Sequence, residues 1–419
     1  MKSRWIQFGS AVTAMIMIAN LQYAWTLFVE PLKASHKTWD GAGIQWGVSL
    51  FLLFETWVTP LEGWLIDRLG PRLFLSMGGV LVGIGWTALA YVQTLTQLYI
   101  FYAIAGVGAA FVYSGSIATA LKWFPDKRGT ISGFITAGFG AGAALFLKLI
   151  SDIINASGYS TAFLYTGIAQ GIVILIVAQV LHNPGPDFHL TPAAKKVPSP
   201  RIRRTSGQFN SLEMLATPHF YLLFVTFVMI SVGGTMITVQ NATVAKSFNI
   251  TTKALLSALV LGRLFNGGGR IFWGWISDRI GREMAMFIPY ALQALGLVAV
   301  LVLGHRSGWW FNLTMMAVFF IWGSMFSLFP AIIGDYFGAD NATSNYGFLY
   351  MAKGVAGLLA GGVAAWLFQK FGNWNWVFYG SAALAVVAAV LVLVVRAMPL
   401  PVKQEIQSES EMGRLAEAG

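Results

Sequence analysis

Along most of its length the chain alternates apolar stretches of about twenty residues with short polar breaks. A helix rising 1.5 Å per residue needs ~20 apolar residues to cross the hydrocarbon of a bilayer, whereas a barrel strand would show shorter segments of alternating polarity. Twelve such stretches can be marked, roughly over 5–29, 44–66, 73–93, 97–121, 129–151, 161–182, 218–241, 253–277, 284–303, 309–334, 343–369 and 373–396. The expected fold class is therefore an all-α membrane protein of twelve transmembrane helices. The first stretch follows a basic start, as in a signal peptide, but it is long, aromatic at its end and lacks an A-x-A-like site. It is read as an uncleaved first helix.

The polar breaks set the topology. Basic residues gather in alternate breaks: Lys2 and Arg4, Arg68 and Arg72, Lys127 and Arg128, Arg279 and Arg282, and Lys195, Lys196, Arg201, Arg203 and Arg204 in the longest break. The opposite breaks are short and carry scattered charges such as Glu30, Lys33, Lys37 and Asp40. By the positive-inside rule the basic breaks and both termini are expected in the cytoplasm. The tail from Pro399, with Glu405, Glu409, Glu411 and Glu417, is polar and expected to be disordered.

The two halves repeat. GWLIDRLGPR at 63–72 returns as GWISDRIGRE at 274–283, its aspartates 211 residues apart, and Gly133-Phe134 returns as Gly347-Phe348. A duplicated six-helix unit with its site at the junction of the halves is a signature of secondary transporters. The expected organisation is a six-helix bundle over 1–182, a cytoplasmic linker over 183–217, a second six-helix bundle over 218–396 and a cytoplasmic tail over 397–419. In the repeated element, Gly70 and Gly281 are positioned to end a helix in a left-handed turn, with arginines facing the negative end of its dipole. Asp67 and Arg68, and likewise Asp278 and Arg279, are read as a gating latch of charges that joins helices when the cytoplasmic side is shut.

Composition narrows the classes. Of 419 residues, 56% are hydrophobic and only 11% charged, against about 25% charged in soluble domains. The excess of 27 basic over 17 acidic residues sits in the alternate breaks, so it is a topology signal and no nucleic-acid partner is expected. There is no cysteine, and His36, His182, His189, His219 and His305 do not pair at ligand spacing, so neither a metal nor a cofactor is expected. No nucleophile–base constellation stands out, which argues against a membrane enzyme. The glycine run 267–269 lies too deep in an apolar stretch to be a phosphate loop, and gradients must then supply the energy of transport. Pairs of glycines at G-x-x-x-G spacing, Gly138/Gly142 and Gly357/Gly361, are read as close packing within one molecule, and a monomer is expected.

Two cations lie deep in the apolar stretches, Arg270 in the eighth and Lys353 in the eleventh, with no neighbouring acid in sequence. A charge at that depth costs at least ~2.5–3.5 kcal/mol, so it usually lines a polar cavity and serves a pathway. Two positive groups point to an anion. The planar fork of Arg suits a carboxylate held by two bonds, and Lys adds a compact point charge, so a small dicarboxylate could use both and a monocarboxylate could share them. Gln22, Tyr23, Tyr113, Trp322 and Tyr350 are the candidates for the cavity wall, rigid and with one polar handle each. Arg263, two turns before Arg270, is a third cation for the anion path, and Glu55 is a candidate partner for it or a proton-coupling acid; Glu62 is placed nearer the latch.

GxxxDRxGxR between the second and third helices, echoed between the eighth and ninth, resembles the signature of the major facilitator superfamily. LQYAWTLF, KWFPDKRGTISGF, LFNGGGRIFWGWISDRIGR and NYGFLYMAKG are similar to motifs of its oxalate/formate antiporter family, over nearly all of 4–396 save the central loop. The resemblance implies a major facilitator fold with two pseudo-symmetric bundles, and that Arg270 and Lys353 hold the two carboxylates of oxalate. It also places Gln22, Tyr23, Tyr113, Phe139, Trp322, Phe326 and Tyr350 at the family's pocket positions. Phe139 and Phe326 stand where the family's oxalate carrier has tyrosines, and Tyr350 where it has a tryptophan. Losing two hydroxyls moves the expectation from oxalate toward a small carboxylate with an apolar end, or a hydroxy- or ketoacid. The expected protein exchanges small organic carboxylates across a bacterial cytoplasmic membrane by alternating access, with the bilayer and the anion as its partners. The rival is a proton-coupled monocarboxylate symporter with Glu55 titrating; a transport-dead sensor has too short a tail, and a drug exporter would want an acidic cavity.

Overall fold

A computed structural model describes residues 2–124, 128–185, 202–338 and 341–403, the side chains of 2, 3, 63, 64, 67, 68, 128–130, 132 and 343 excepted. Lys127, His189, Lys195, Lys196, Arg201 and the four tail glutamates therefore lie outside the described residues, as do the side chains of Asp67 and Arg68. Most of the described residues are helical. The first six stretches form α1 (Lys2–Tyr23), α2 (Val29–Ser35), α3 (Gly41–Trp57), α4 (Thr59–Ala88), α5 (Leu95–Trp123), α6 (Arg128–Gly142) and α7 (Ala144–Val180). The remainder form α8 (Ser211–Leu215), α9 (Pro218–Ser247), α10 (Thr252–Ile280), α11 (Arg282–Leu303), α12 (Gly308–Trp322), α13 (Met325–Phe337), α14 (Ala342–Leu358), α15 (Ala364–Phe371) and α16 (Asn375–Ala397).

Helix starts follow local chemistry. The side chains of Asp40, Thr94, Thr217, Thr251 and Ser307 each accept a hydrogen bond from the backbone N–H three residues on, satisfying a donor that the helix itself leaves open. Two helices run through a sharp break, and each carries the end of one span and the whole of the next: α4 at Gly70 (φ 72°, ψ 160°) and α7 at Gly158 (φ 85°, ψ 166°). Gly281, at φ 92° and ψ 157°, separates α10 from α11 in the same way. The positive φ anticipated at Gly70 and Gly281 is present, but ψ lies far from the left-handed helical well, in a region essentially restricted to glycine.

Among the described residues, eight helical stretches are long and apolar enough to cross a membrane, and nine if the bent pair Arg4–Tyr23 and Trp25–Ser35 counts as one span. Gly133–Val180, 48 residues long, holds two spans across Gly158. Two further spans fall short for identifiable reasons: α3 is separated from the start of α4 at Val58, and α10 is made less apolar by its own arginines. These add up to the twelve spans expected. Helices are the natural solution here, because lipid offers no partner to an unsatisfied backbone group.

Glycines bring the site-bearing helices together. A Cβ on Gly354, Gly357 or Gly361 would lie 2.3 Å from Thr56 Oγ1, 2.7 Å from Leu52 Cβ and 2.2 Å from Ser49 Oγ, so the α14 span meets α3 glycine face first. Gly138 and Gly142 likewise face Val12 and Ile16 of α1. Ser49 of α3 donates to the Gly357 carbonyl (2.9 Å) and accepts from Gly362 N–H (3.0 Å), bridging the single π-helical turn at Leu359–Val363. Above it, Gln45 Nε2 donates to the Val239 carbonyl (3.0 Å) and to Gln240 Oε1 (3.0 Å), and Lys246 pairs with Glu30. These bonds close the bundle at the end away from the D-R-x-G motifs.

At the motif end, the second repeat is built differently from the latch expected. Arg282 binds Asp278 (2.7 Å) and, on α13, Asp335 (2.8 Å), while Arg204 completes Asp335 from the other side (2.6 Å). Arg279 instead lies flat on its neighbour Trp275, its guanidinium carbon 3.6 Å from the ring centre. So Arg282, not Arg279, links the helices, because Arg279 points off the exposed side of α10. Residues 202–217, expected as a polar linker, fold back on the last six spans: Thr205 N–H binds the Asp335 carbonyl and Phe209 N–H the Phe337 carbonyl. Arg203 donates to the carbonyls of Arg396 and Met398 at 2.6 Å each.

Candidate functional site

Helices α1, α3, α5, α6, α10, α13 and α14 converge on one buried cluster that holds Arg270, Lys353, Arg263 and Glu55. Each of the four is at most 2% exposed.

Arg270 is placed by backbone proximity. A Cβ on Gly269 would sit 2.0 Å from the Phe320 carbonyl oxygen, and one on Gly323 would sit 2.4 Å from that of Asn266, so α10 and α12 touch backbone to backbone. Gly268, in contrast, has nothing within 4 Å of that position. We expect Gly269→Ala to destabilise the protein by about 1–3 kcal/mol or more, since a backbone neighbour cannot yield, and Gly268→Ala to melt close to wild type. Thermal unfolding in detergent checks both; equal melting of the two variants would refute the packing argument.

The Arg270 guanidinium spans the cluster. Nη1 donates to the Thr136 carbonyl of α6 (2.8 Å), Nε and Nη2 to Asn266 Oδ1 (3.2 and 3.1 Å), and Nη2 to the Tyr23 hydroxyl (3.4 Å). All these acceptors are neutral, so the charge is solvated but not neutralised. Phe326 covers it, its ring centre 4.0 Å from the guanidinium carbon and 6.0 Å from Lys353 Nζ. One aromatic ring thus lies within reach of both cations.

Lys353 fills all three of its donors: Glu55 Oε2 (2.9 Å), Gln22 Oε1 (3.1 Å) and the Tyr350 hydroxyl (3.1 Å). Glu55 is therefore the counter-ion of Lys353, which corrects the pairing with Arg263 considered from sequence. Arg263 is sandwiched instead, its guanidinium carbon 4.3 Å from the Tyr23 ring centre and 3.9 Å from that of Phe319. The Tyr23 hydroxyl is the one neutral polar group acting on it, and none of its three nitrogens meets an acceptor at good hydrogen-bonding geometry among the described residues. Stacking on two rings eases a buried cation without neutralising it. Glu62 is also buried and forms no ion pair among the described residues, so the latch role weighed for it has no partner there.

The aromatic candidates are in contact with one another. Tyr113 stacks on Tyr350 (5.7 Å, 9°) and meets Phe139 edge-on (5.4 Å), Tyr23 leans on Phe139 (5.3 Å), and Trp322 meets Phe326 edge-on (5.2 Å). Trp322 lies against Gly234 of α9 with its indole N–H unpartnered. Three contributors were not anticipated: Asn266 and Thr136, which hold Arg270, and Phe319, which holds Arg263. Asn266, four residues before Arg270 and so on the same helix face, was the one legible in sequence.

A pseudo-repeated helical bundle with this charged centre defines a class. The sequence profile of the Major Facilitator Superfamily matches residues 8–361 and 323–415, and the chain belongs to that superfamily. It is a multi-pass membrane transporter and not an enzyme. Among characterised proteins it is similar to the oxalate:formate antiporter of Oxalobacter formigenes, 35% identical over 410 residues, covering 98% of this chain and 96% of the relative. More distant likenesses are the apicoplast pyruvate carrier 1 of Toxoplasma gondii (26% over 355 residues, 70% of this chain and 63% of the relative) and monocarboxylate transporter 12 of Xenopus laevis (22% over 376 residues, 85% and 81%).

Proposed function

We propose that the protein exchanges small organic carboxylates across a bacterial cytoplasmic membrane, as a monomer whose two six-helix halves (1–182 and 218–396) rock about the cluster with both termini in the cytoplasm. The observation that carries the reading is the imbalance of the buried centre. Arg263 has three donor nitrogens without a hydrogen-bond acceptor, Gln22 Nε2 and Trp322 Nε1 are two more such nitrogens, and both guanidinium charges lack a counter-ion among the described residues. A carboxylate accepts hydrogen bonds and carries the missing charge. Arg270 offers it a fork, Lys353 a second contact, and Gln22, Tyr23, Tyr113, Phe139, Trp322, Phe326 and Tyr350 the wall. The likeness to the oxalate:formate antiporter covers 98% of the chain, and the two distant relatives are named for pyruvate and for monocarboxylates.

Exchange follows from the same imbalance. Closing the empty site leaves unpaired guanidiniums away from water, which costs several kcal/mol per charge. A bound anion removes that cost, so loaded carriers reorient and empty ones do not. The Arg282–Asp278–Asp335–Arg204 cluster is positioned to hold the motif end shut, and Asp67 and Arg68 are the matching candidates in the first repeat.

A thermal-shift screen of small carboxylates tests the reading. The substrate is expected to stabilise the protein by about 2.7 kcal/mol at a hundred times its Kd. In proteoliposomes, labelled substrate inside is expected to leave only when a carboxylate is supplied outside. Equally fast efflux without one would defeat the exchange mode.

A further inference from the structure

Resting on that reading, we propose that Glu55 makes the exchange of a dicarboxylate for a monocarboxylate electrically neutral, by yielding Lys353 to the second carboxylate and taking up one proton as it does so. The Lys353 ammonium has three donors and all three are used, by Glu55, Gln22 and Tyr350. Glu55 is the sole anion of the three. A dicarboxylate seated on Arg270 that reaches Lys353 with its far end meets a carboxylate already there. Two carboxylates at one ammonium repel, and in such shared sites one of them becomes protonated.

The surroundings leave Glu55 no other relief. Its Oε1 has no hydrogen-bond partner, and the side chain is 1% exposed. The ionisable groups that face it are Lys353 and Tyr350 from α14, Tyr23 from α1, Tyr102 and Tyr113 from α5, and Glu62 from α4, with Arg270 of α10 acting on Lys353. Only Lys353 among them is a cation in contact with it. Once that contact is ceded, an ionised Glu55 is an isolated buried charge, and a proton from the open side of the carrier removes it.

A monocarboxylate needs no such step. It takes the fork of Arg270 and leaves the Glu55–Lys353 pair intact. The balance is then two negative charges and one proton in one direction against one negative charge in the other. The proton is released from Glu55 on the far side when the dicarboxylate departs and the pair re-forms.

The experiment uses the full chain in liposomes loaded with formate, with labelled oxalate outside, a potassium–valinomycin clamp setting the voltage and an interior pH dye. In wild type the oxalate accumulated at steady state is expected to be the same at 0 and −100 mV inside, with one proton entering per oxalate. In Glu55→Gln the exchange carries one net negative charge inward, so −100 mV should lower accumulation about fifty-fold, with no proton entry. Glu62→Gln, the other acid in reach, should behave as wild type. A fifty-fold voltage dependence in wild type without proton entry overturns the proposal whether or not Glu55→Gln folds, and so does loss of proton entry in Glu62→Gln. If wild type exchanges no small carboxylate at all, the reading beneath the proposal falls and takes it along.

Discussion

Arg270→Ala is expected to weaken carboxylate binding by about 3 kcal/mol or more, roughly 150-fold in Kd, because it removes a desolvated charged partner at the centre of the site. The same substitution is expected to leave the unliganded protein no less stable than wild type. The guanidinium is held by the Thr136 carbonyl, Asn266 and Tyr23, none of them charged, so its burial is a standing cost that the substitution relieves. Arg270→Lys should recover little, since an ammonium cannot reproduce the two-bond fork or lie flat under Phe326 at 4.0 Å. Isothermal titration with the carboxylate found by the thermal-shift screen gives the Kd, and melting without ligand gives the stability. A variant that melts lower yet binds normally would show that Arg270 is a structural residue.

Lys353→Met should behave in the opposite way. Lys353 and Glu55 form an ion pair at 2.9 Å with side-chain exposures of 0% and 1%, and removing one partner strands the other. Breaking such a pair costs about 3–5 kcal/mol, and adding Glu55→Gln to Lys353→Met should restore stability to within about 1 kcal/mol of wild type. Glu55→Gln alone should be milder, because Lys353 retains Gln22 and Tyr350 and a lysine can shed its proton. A double-mutant cycle of unfolding free energies measures this coupling. Additive effects of the two substitutions would rule out the pair. Neither single effect depends on what the carrier transports, so the cycle tests the geometry of the centre apart from its function.

Much of the membrane architecture was legible because lipid makes sequence conspicuous. Twenty apolar residues have few other uses, and a lone arginine or lysine among them stands out, which is why Arg270 and Lys353 were visible before any helix was placed. The residues expected to form a cavity wall came from motif likeness, and their rings do lie against one another. Partners were harder. Glu55 sits 298 residues from Lys353, and nothing local to α3 says that its Glu55 face turns to α14 and away from α10. The latch was legible only in part, for a related reason. The repeated motif drew attention to Asp278 and Arg279, whereas the residue that ties the helices is Arg282, through Asp335 on α13 and Arg204 from the supposed linker.

The chain by itself determined the number of spans, the duplication and the deep cations, since each depends on a residue's own transfer cost or on its neighbours in sequence. Tertiary structure alone decided which charges cancel. Ion pairing falls off over a few ångströms, and helix rotation and crossing set those distances through glycine contacts such as Gly269 on Phe320 and Gly361 on Ser49. In that packing Lys353 is neutralised by Glu55, while Arg263 and Arg270 have no counter-ion among the described residues.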